Sequence, residues 1–200
     1  MTSSQHSLQP SAVSVELTWI VAAQRGNLAS FNQLVESYQQ LCFNVALRLV
    51  NNPDTAADVT QDAFLSAYRH LDQFRGGSFR SWLLRIVTNA SYDVLRIRRR
   101  HDAASLDVLM ESSAFDVPDL GELPEELTLR GELFDAIQIG LGQLPVDQRA
   151  VVVLCDVHGF SYDEAATVLT TNVGTVKSRL SRGRGRLRDY LVGHPELWKH

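Results

Sequence analysis

The sequence is poor in nearly every feature that marks a covalent scaffold or an active centre. Its two cysteines, Cys42 and Cys155, stand far apart with no CxxC and no Cys/His cluster beside either. Neither a disulfide framework nor a zinc site therefore has support, and both thiols are expected to act as small buried hydrophobes. The six histidines are scattered, and neither HExxH nor GxxxxGK occurs, so no enzymatic activity and no cofactor are expected. No apolar run approaches the roughly 18 residues that a membrane span needs. The segment Met1 to Ser14 is polar, without the basic start and hydrophobic middle of a signal peptide, so the expectation is no membrane insertion and a cytoplasmic location. Period-two alternation is scarce as well, which argues against strands.

What the chain does have is apolar material at helical spacing and an uneven distribution of charge. At 44% hydrophobic and 21% charged residues it can bury a core. The net charge of -4 argues against nucleic acid until it is mapped along the sequence. Arg75 to Arg100 holds seven arginines against Asp93 alone, a net of +6, and Thr171 to Tyr190 holds six basic residues against Asp189, a net of +5. Between them, Asp102 to Asp135 carries ten acids against Arg130, a net of -9. That asymmetry, more than the total, bears on partners.

The pattern predicts an all-α protein of two small domains. Leu17, Ile20 and Val21 mark a short helix ending near Gly26. Phe31, Leu34, Val35, Tyr38, Leu41, Cys42, Val45 and Leu49 stripe a longer one that Pro53 cannot continue. A third helix is expected over about Ala56 to Asp72 and a fourth over about Phe79 to Arg99, with Trp82, Leu83, Ile86, Val87, Ala90 and Val94 inward, closing a bundle over 15–100. From 101 to 126 the composition is that of an exposed acidic linker. The second domain, 127–192, should hold helices over about Leu129 to Leu141, Val146 to Val157, Tyr162 to Leu169 and Val173 to Val192. A disordered N-terminal tail is expected at 1–14 and a C-terminal tail at 193–200. Ser161 and Glu164 form a capping-box pattern at a helix start.

A short helix, a tight turn and a longer basic helix is the arrangement that places a second helix in the DNA major groove. At 100 degrees per residue, Val176, Leu180, Gly183, Leu187 and Leu191 fall within roughly 80 degrees of one another, a core-facing stripe. Lys177, Arg184 and Arg188 flank one side, and Arg179 and Arg186 the other. Opposite the stripe lie Ser178, Ser181 and Gly185, with Arg182 at the edge. Small residues at the apex let such a helix approach base edges while long cations reach phosphates. A solvated surface helix is the plainer alternative, but it would mix signs, and only Asp189 supplies an acid. The run Arg96 to Arg100 has two readings also: cations complementing a helix C-terminus, or, with Phe74, Phe79, Trp82 and Tyr92 nearby, a stacking platform for unpaired bases. Phe79 and Trp82 could equally be core.

Two stretches resemble one family. Phe74 to Asn89 (FRGGSFRSWLLRIVTN), followed by Asp93 and Leu95-Arg96 and preceded by Asp58, Gln61, Asp62 and Phe64, resembles the first domain of an extracytoplasmic-function sigma factor. Leu144-Pro145, Arg149, Gly159 to Ala166 and Gly174 to Leu180 resemble its second. The resemblance implies a promoter-specificity subunit with a sigma-2-like bundle and a sigma-4-like helix-turn-helix domain, and with no chemistry of its own. Its implied partners are RNA polymerase core (the beta-prime clamp coiled coil and the beta flap), promoter DNA, and an anti-sigma factor. By the same matching, Asp58, Gln61, Asp62 and Phe64 would meet core polymerase. Arg75, Ser78, Phe79, Asn89, Asp93 and Arg96 would meet the melted -10 element. Asn172, Thr175, Lys177, Ser178, Arg179, Ser181, Arg182, Arg184 and Arg186 would meet the -35 duplex. The acidic linker is expected to occupy the nucleic-acid channel of the polymerase and to keep the free chain from holding DNA. A stand-alone helix-turn-helix regulator is the alternative function, though it leaves Phe74 to Asn89 without a role.

Overall fold

The computed structural model describes residues 12–104 and 136–195; the linker over 105–126, the start of the second domain and the outer parts of both tails lie outside the described residues. Among those described there are eight α-helices and no strand. The first four are α1 (Ala12–Gln24), α2 (Leu28–Val50), α3 (Pro53–Arg69) and α4 (Phe79–Ala104). The second four are α5 (residues 136–142), α6 (Val146–Val152), α7 (Tyr162–Val168) and α8 (Val173–Gly193).

Local chemistry sets most of these boundaries. Asn27 caps α2 by accepting from the Ser30 amide, and Asn52 caps α3 by accepting from the Thr55 amide at 2.8 Å. Pro53 therefore opens α3, where its missing N–H costs nothing, three residues before the start that periodicity predicts. That helix ends at Arg69, and a single 3-10 turn, Leu71–Gln73, follows. α4 runs beyond Arg99 to Ala104, so Arg96 to Arg100 precede its last turn and are not mainly terminal dipole partners. α1 starts at Ala12, inside the predicted N-terminal tail. The predicted helix over Val146 to Val157 is α-helical only to Val152. Beyond that the turns widen, with the His158 amide donating to the Val153 carbonyl five residues back at 3.1 Å.

The core of the first unit is formed by Leu34, Val45 and Leu49 of α2, Val59 and Ala63 of α3, and Leu83, Leu84 and Val87 of α4. Gln24 of α1 pins the loop after α3, donating to the carbonyls of Leu71 (3.0 Å) and Phe74 (2.9 Å). In the second unit, Leu141, Val151, Leu154, Ala165, Val176 and Leu180 are buried. Cys42 is buried and its thiol is pushed up to about 12 by desolvation, whereas Cys155 is only half-buried, short of the expectation for it.

The two units also pack on each other, which no sequence pattern anticipates. α4 lies against α7, and α2 against α6 and the wide turn after it, so the buried apolar side chains form one continuous cluster. Arg80, at the start of α4, holds its guanidinium 3.9 Å above the Phe160 ring and donates to the His158 carbonyl at 3.1 Å.

Candidate nucleic-acid and partner interfaces

α7, the turn after it and α8 form the helix-turn-helix. The capping box at the start of α7 is complete: the Glu164 amide donates to Ser161 Oγ, and the Ser161 amide donates to the Glu164 carboxylate at 2.9 Å. The Ser161 amide, together with the Ser161 hydroxyl donating to the same carboxylate at 2.8 Å, holds the Glu164 carboxyl below its ordinary value. The turn passes through Thr170 at φ +49, a left-handed conformation unusual for a β-branched residue. Asn172 then caps α8, its Oδ1 accepting from the Thr175 amide at 2.8 Å.

The faces of α8 fall as its angles predict. Val176, Leu180 and Gly183 are buried, and Lys177, Ser178, Ser181, Arg182, Arg184, Arg186 and Arg188 are exposed, with Thr175 and Arg179 half-buried. Gly183 is where α6 crosses: a Cβ there would lie 2.8 Å from Val152 Cγ2 and 3.3 Å from the Gln148 carbonyl. Gly185 has open space around it, on a concave surface of about 520 Å³ lined by Tyr162, Lys177, Ser181, Arg184 and Arg188.

The cations of α8 differ in how they are held. Arg184 is clamped by both oxygens of Asp156, at 2.9 and 2.5 Å, a pairing that raises its already high pKa. Arg179 pairs with Asp147 at 3.0 Å, and Arg188 with its exposed neighbour Asp189 at 2.9 Å. Arg182 folds back on Ser178, donating to its carbonyl at 3.2 Å and its hydroxyl at 3.3 Å. Lys177 and Arg186 make no ion pair among the described residues, and Lys177 lies 5.9 Å from the Tyr162 ring. Lys177, Arg182 and Arg186 are thus the cations with charge to spare for an incoming phosphate.

On the first unit, the loop before α4 turns through Gly76 (φ +104) and Gly77 (φ +86), conformations that glycine adopts without strain. Ser78 ends the loop, its Oγ accepting from the Ser81 amide at 3.1 Å, and Arg75 is exposed beside it. Phe79 is 2% exposed and Phe74 is 7% exposed. Their rings meet edge-on at 5.5 Å, with Trp82 5.5 Å from Phe79 and 5.6 Å from Phe74. Phe79 therefore sits beneath the loop as a brace and does not face solvent as a stacking platform. Farther along, Arg85, Asn89, Asp93 and Arg96 are all exposed and lie within roughly 80 degrees on one face of α4. Arg85 belongs to that stripe, although it is not among the residues that the resemblance assigns to the -10 element. Asp93 accepts from Arg96 at 2.7 Å, leaving Asn89 with both a donor and an acceptor facing water.

On α3, Asp58, Gln61 and Asp62 are exposed along one face, joined by Leu65 at 47% exposure. Phe64 is half-buried. With Gln61 it lines a groove of about 500 Å³ between α2 and α3, opposite Val35 and Phe43. Leu65 is the residue of this face that motif matching overlooks; only its exposure reveals it, because a leucine at helical spacing reads as core.

The comparisons with known proteins follow this division into two units. The family profile for Sigma-70 region 2 matches residues 34–101, and that for Sigma-70, region 4 matches residues 135–187. The chain is 37% identical over 170 residues to the ECF RNA polymerase sigma factor SigE of Mycolicibacterium smegmatis, covering 84% of this chain and 63% of that relative's length. It is 39% identical over 166 residues to the RNA polymerase sigma-H factor of Pseudomonas aeruginosa, and 37% identical over 165 residues to the ECF RNA polymerase sigma-E factor of Escherichia coli. Each of these two matches covers 80% of this chain and 86% of the relative. Among solved structures it is similar to the sigma factor RpoE in complex with the anti-sigma factor NepR from Bartonella quintana, with TM-score 0.65, 31% identity, and 82% of this chain and 98% of that chain covered. It is similar also to CnrH in complex with the cytosolic domain of CnrY, with TM-score 0.65, 30% identity, and 90% and 98% covered.

Proposed function

The chain belongs to the extracytoplasmic-function (ECF) RNA polymerase sigma factors, and from that membership we propose that it binds polymerase core and directs initiation at promoters with two elements, without catalysing a reaction itself. In this reading the unit over 15–100 docks on the beta-prime clamp coiled coil and captures melted -10 bases. The unit over 127–192 reads the -35 duplex and meets the beta flap. The intervening acidic residues run through the polymerase channel.

The observation that carries the reading is the pair of unlike basic helices on one chain. α8 offers small residues between cations, suited to a groove. α4 offers Asn89, a base-edge partner, beside arginines, with a rigid aromatic brace under the loop at its start. Core contact falls to the acidic face of α3, Asp58, Gln61 and Asp62, with Leu65 as its apolar centre and Phe64 anchoring it from the groove. Arg75, Ser78, Asn89, Asp93 and Arg96 are assigned to -10 DNA, with Phe79 as their support. Asn172 and Thr175 position the start of α8, Lys177, Ser178, Ser181 and Arg182 face -35 bases, and Arg179, Arg184 and Arg186 reach phosphates. The anti-sigma factor bound to RpoE and the CnrY domain bound to CnrH support control by a protein that covers these faces. Among the described residues no helix is long and apolar enough to cross a membrane, in keeping with a place of action beside the polymerase.

The test is mapping of transcript starts after overproduction, followed by run-off transcription with purified chain and E. coli core polymerase. Discrete starts sharing two upstream elements, dependent on both proteins, are the expected result. DNA binding that is tight without polymerase, or no association with core, would overturn the reading.

A further inference from the structure

Toward the end of α4, exposed arginines border a groove with an apolar floor. It has a volume of about 630 Å³, within the roughly 300–1,000 Å³ of ligand clefts, and lies between the last turns of α4 and the start of α6. Tyr92, Leu95, Pro145 and Val146, all half-buried, supply the floor. Arg96, Arg99 and Arg100, all exposed, supply a cationic rim.

The rim is short of negative charge. Arg96 pairs with Asp93 at 2.7 Å, but Arg99 and Arg100 make no ion pair among the described residues. Asp147, the acid on the lining, is taken by Arg179 at 3.0 Å. Phosphates alone would suit the arginines and leave the floor in water, whereas apolar side chains gain by covering it. The lining therefore fits an occupant that is acidic and apolar together.

The chain itself carries such an occupant, tethered at both walls. α4 ends at Ala104, about 6 Å beyond Arg100. The described chain resumes at residue 136 in α5, which leads to Pro145 on the opposite wall. The residues between lie outside the described residues, and they hold most of the stretch Asp102 to Asp135, whose net charge is -9. Within them, residues 115–123 read FDVPDLGEL: Phe115, Val117, Leu120 and Leu123 interleave with Asp116, Asp119 and Glu122, and no cation intervenes. Pro118 and Gly121 oppose a helix there, and Pro118 biases Val117 to extended backbone, the form that lies along a groove. From Ala104 to Phe115 the chain can span roughly 36 Å, and from Leu123 to residue 136 roughly 43 Å, so neither limb is too short.

We propose that this groove holds residues 115–123 of the same chain, with their apolar side chains on the floor and Asp116, Asp119 and Glu122 against the arginine rim. Tethering makes weak contacts sufficient, because the effective concentration of a tethered segment is of order millimolar. So placed, the segment neutralises arginines of the basic window that runs from Arg75 to Arg100, and single-stranded DNA must compete with it. That consequence rests on the proposed sigma-factor function; the docking itself does not.

Two measurements on the full chain test it. A nitroxide on Ser113→Cys, with Cys155→Ser leaving buried Cys42 as the other thiol, should broaden the amide resonances of Leu95, Arg99 and Val146. The broadening should fall at least twofold when Asp116→Asn, Asp119→Asn and Glu122→Gln are added, and again at least twofold when Phe115→Ser with Val117→Ser are added instead. Equal broadening in all three chains overturns the docking. Fluorescence anisotropy with single-stranded oligo-dT, at low salt and without core, reads the consequence. The triple acid-to-amide chain should bind at least threefold tighter than the wild-type chain. Glu36→Gln with Asp54→Asn and Asp72→Asn makes the same change of net charge at exposed sites that do not line the groove, and should gain less than half as much. Equal gains overturn the neutralisation of the rim. If no chain binds the oligonucleotide, the assignment of α4 to single-stranded DNA falls, and the broadening still decides the docking.

Discussion

α4 and α8 are both long, basic and exposed along one side, yet they are built on different foundations. Under the start of α4 lies a packed aromatic cluster, Phe74, Phe79 and Trp82, and its outer stripe mixes Asn89 and the Asp93–Arg96 pair with Arg85. Under α8 lies the close crossing with α6 at Gly183, and acids from neighbouring segments, Asp147 and Asp156, take up two of its arginines. A helix meant to hold extruded bases needs a rigid floor and varied hydrogen-bond partners, whereas one meant for duplex needs a slim profile and positive rims. On the proposed assignment of α4 to extruded bases and α8 to duplex, total positive charge would say little about which form of DNA a helix suits.

The largest blow to the comparison comes from its floor. Phe79→Ala should cost about 3–5 kcal/mol of stability, as loss of a buried aromatic does, read as a lower denaturation midpoint. A small effect would mean the ring is not a brace. Next, Arg182→Ala should weaken binding to a -35 duplex by about 1–3 kcal/mol and leave capture of single-stranded -10 DNA unchanged, while Asn89→Ala should do the reverse. Fluorescence anisotropy with both probes, in the presence of core, measures the pair; equal losses on both would erase the distinction.

Two glycines on α8 sharpen it. Gly183→Ala should destabilise by about 1–3 kcal/mol, because the new methyl meets Val152 and the Gln148 carbonyl. Gly185→Ala should stabilise by up to about 1 kcal/mol, since the site is open and alanine is the better helix former. Thermal melts compare them directly. Acid probes the joint between units. Burial, with Arg48 of α2 and Arg80 of α4 nearby, lowers His158 to about 4. Its folded value lies below its unfolded one, so its contribution is complete above pH 6.5 and is lost as pH falls toward 4. Melts at pH 7 and pH 5 should differ less in His158→Gln than in the wild-type chain. The smallest effect is expected from Asp156→Asn, which frees exposed Arg184: stability should change by less than about 1 kcal/mol, while the salt dependence of duplex binding should steepen slightly.

Much of this was legible one residue at a time. The Ser161–Glu164 box, the Asn172 cap and the outward face of α8 follow from local hydrogen bonding and helical angle, and each is found where the spacing predicts it. Phe79 was not legible, because a phenylalanine at the start of a basic helix looks the same whether it lies above or below the loop. Gly183 falls on the core-facing stripe by angle, and only the crossing of α6 shows that no side chain fits there. Leu65 carries no motif, and only its exposure brings it into the α3 face.

What the amino-acid order determined alone is whatever depends on neighbours within a turn or two: eight helices among the described residues, their caps, and the sign of charge on each face. What the tertiary structure decided is which end meets which: Arg149 and Gln138 on the carbonyls of α2, Arg80 on Phe160, and α6 against Gly183. Those pairings join residues about 30 to 100 positions apart, and no periodicity of 3.6 residues carries information over that distance.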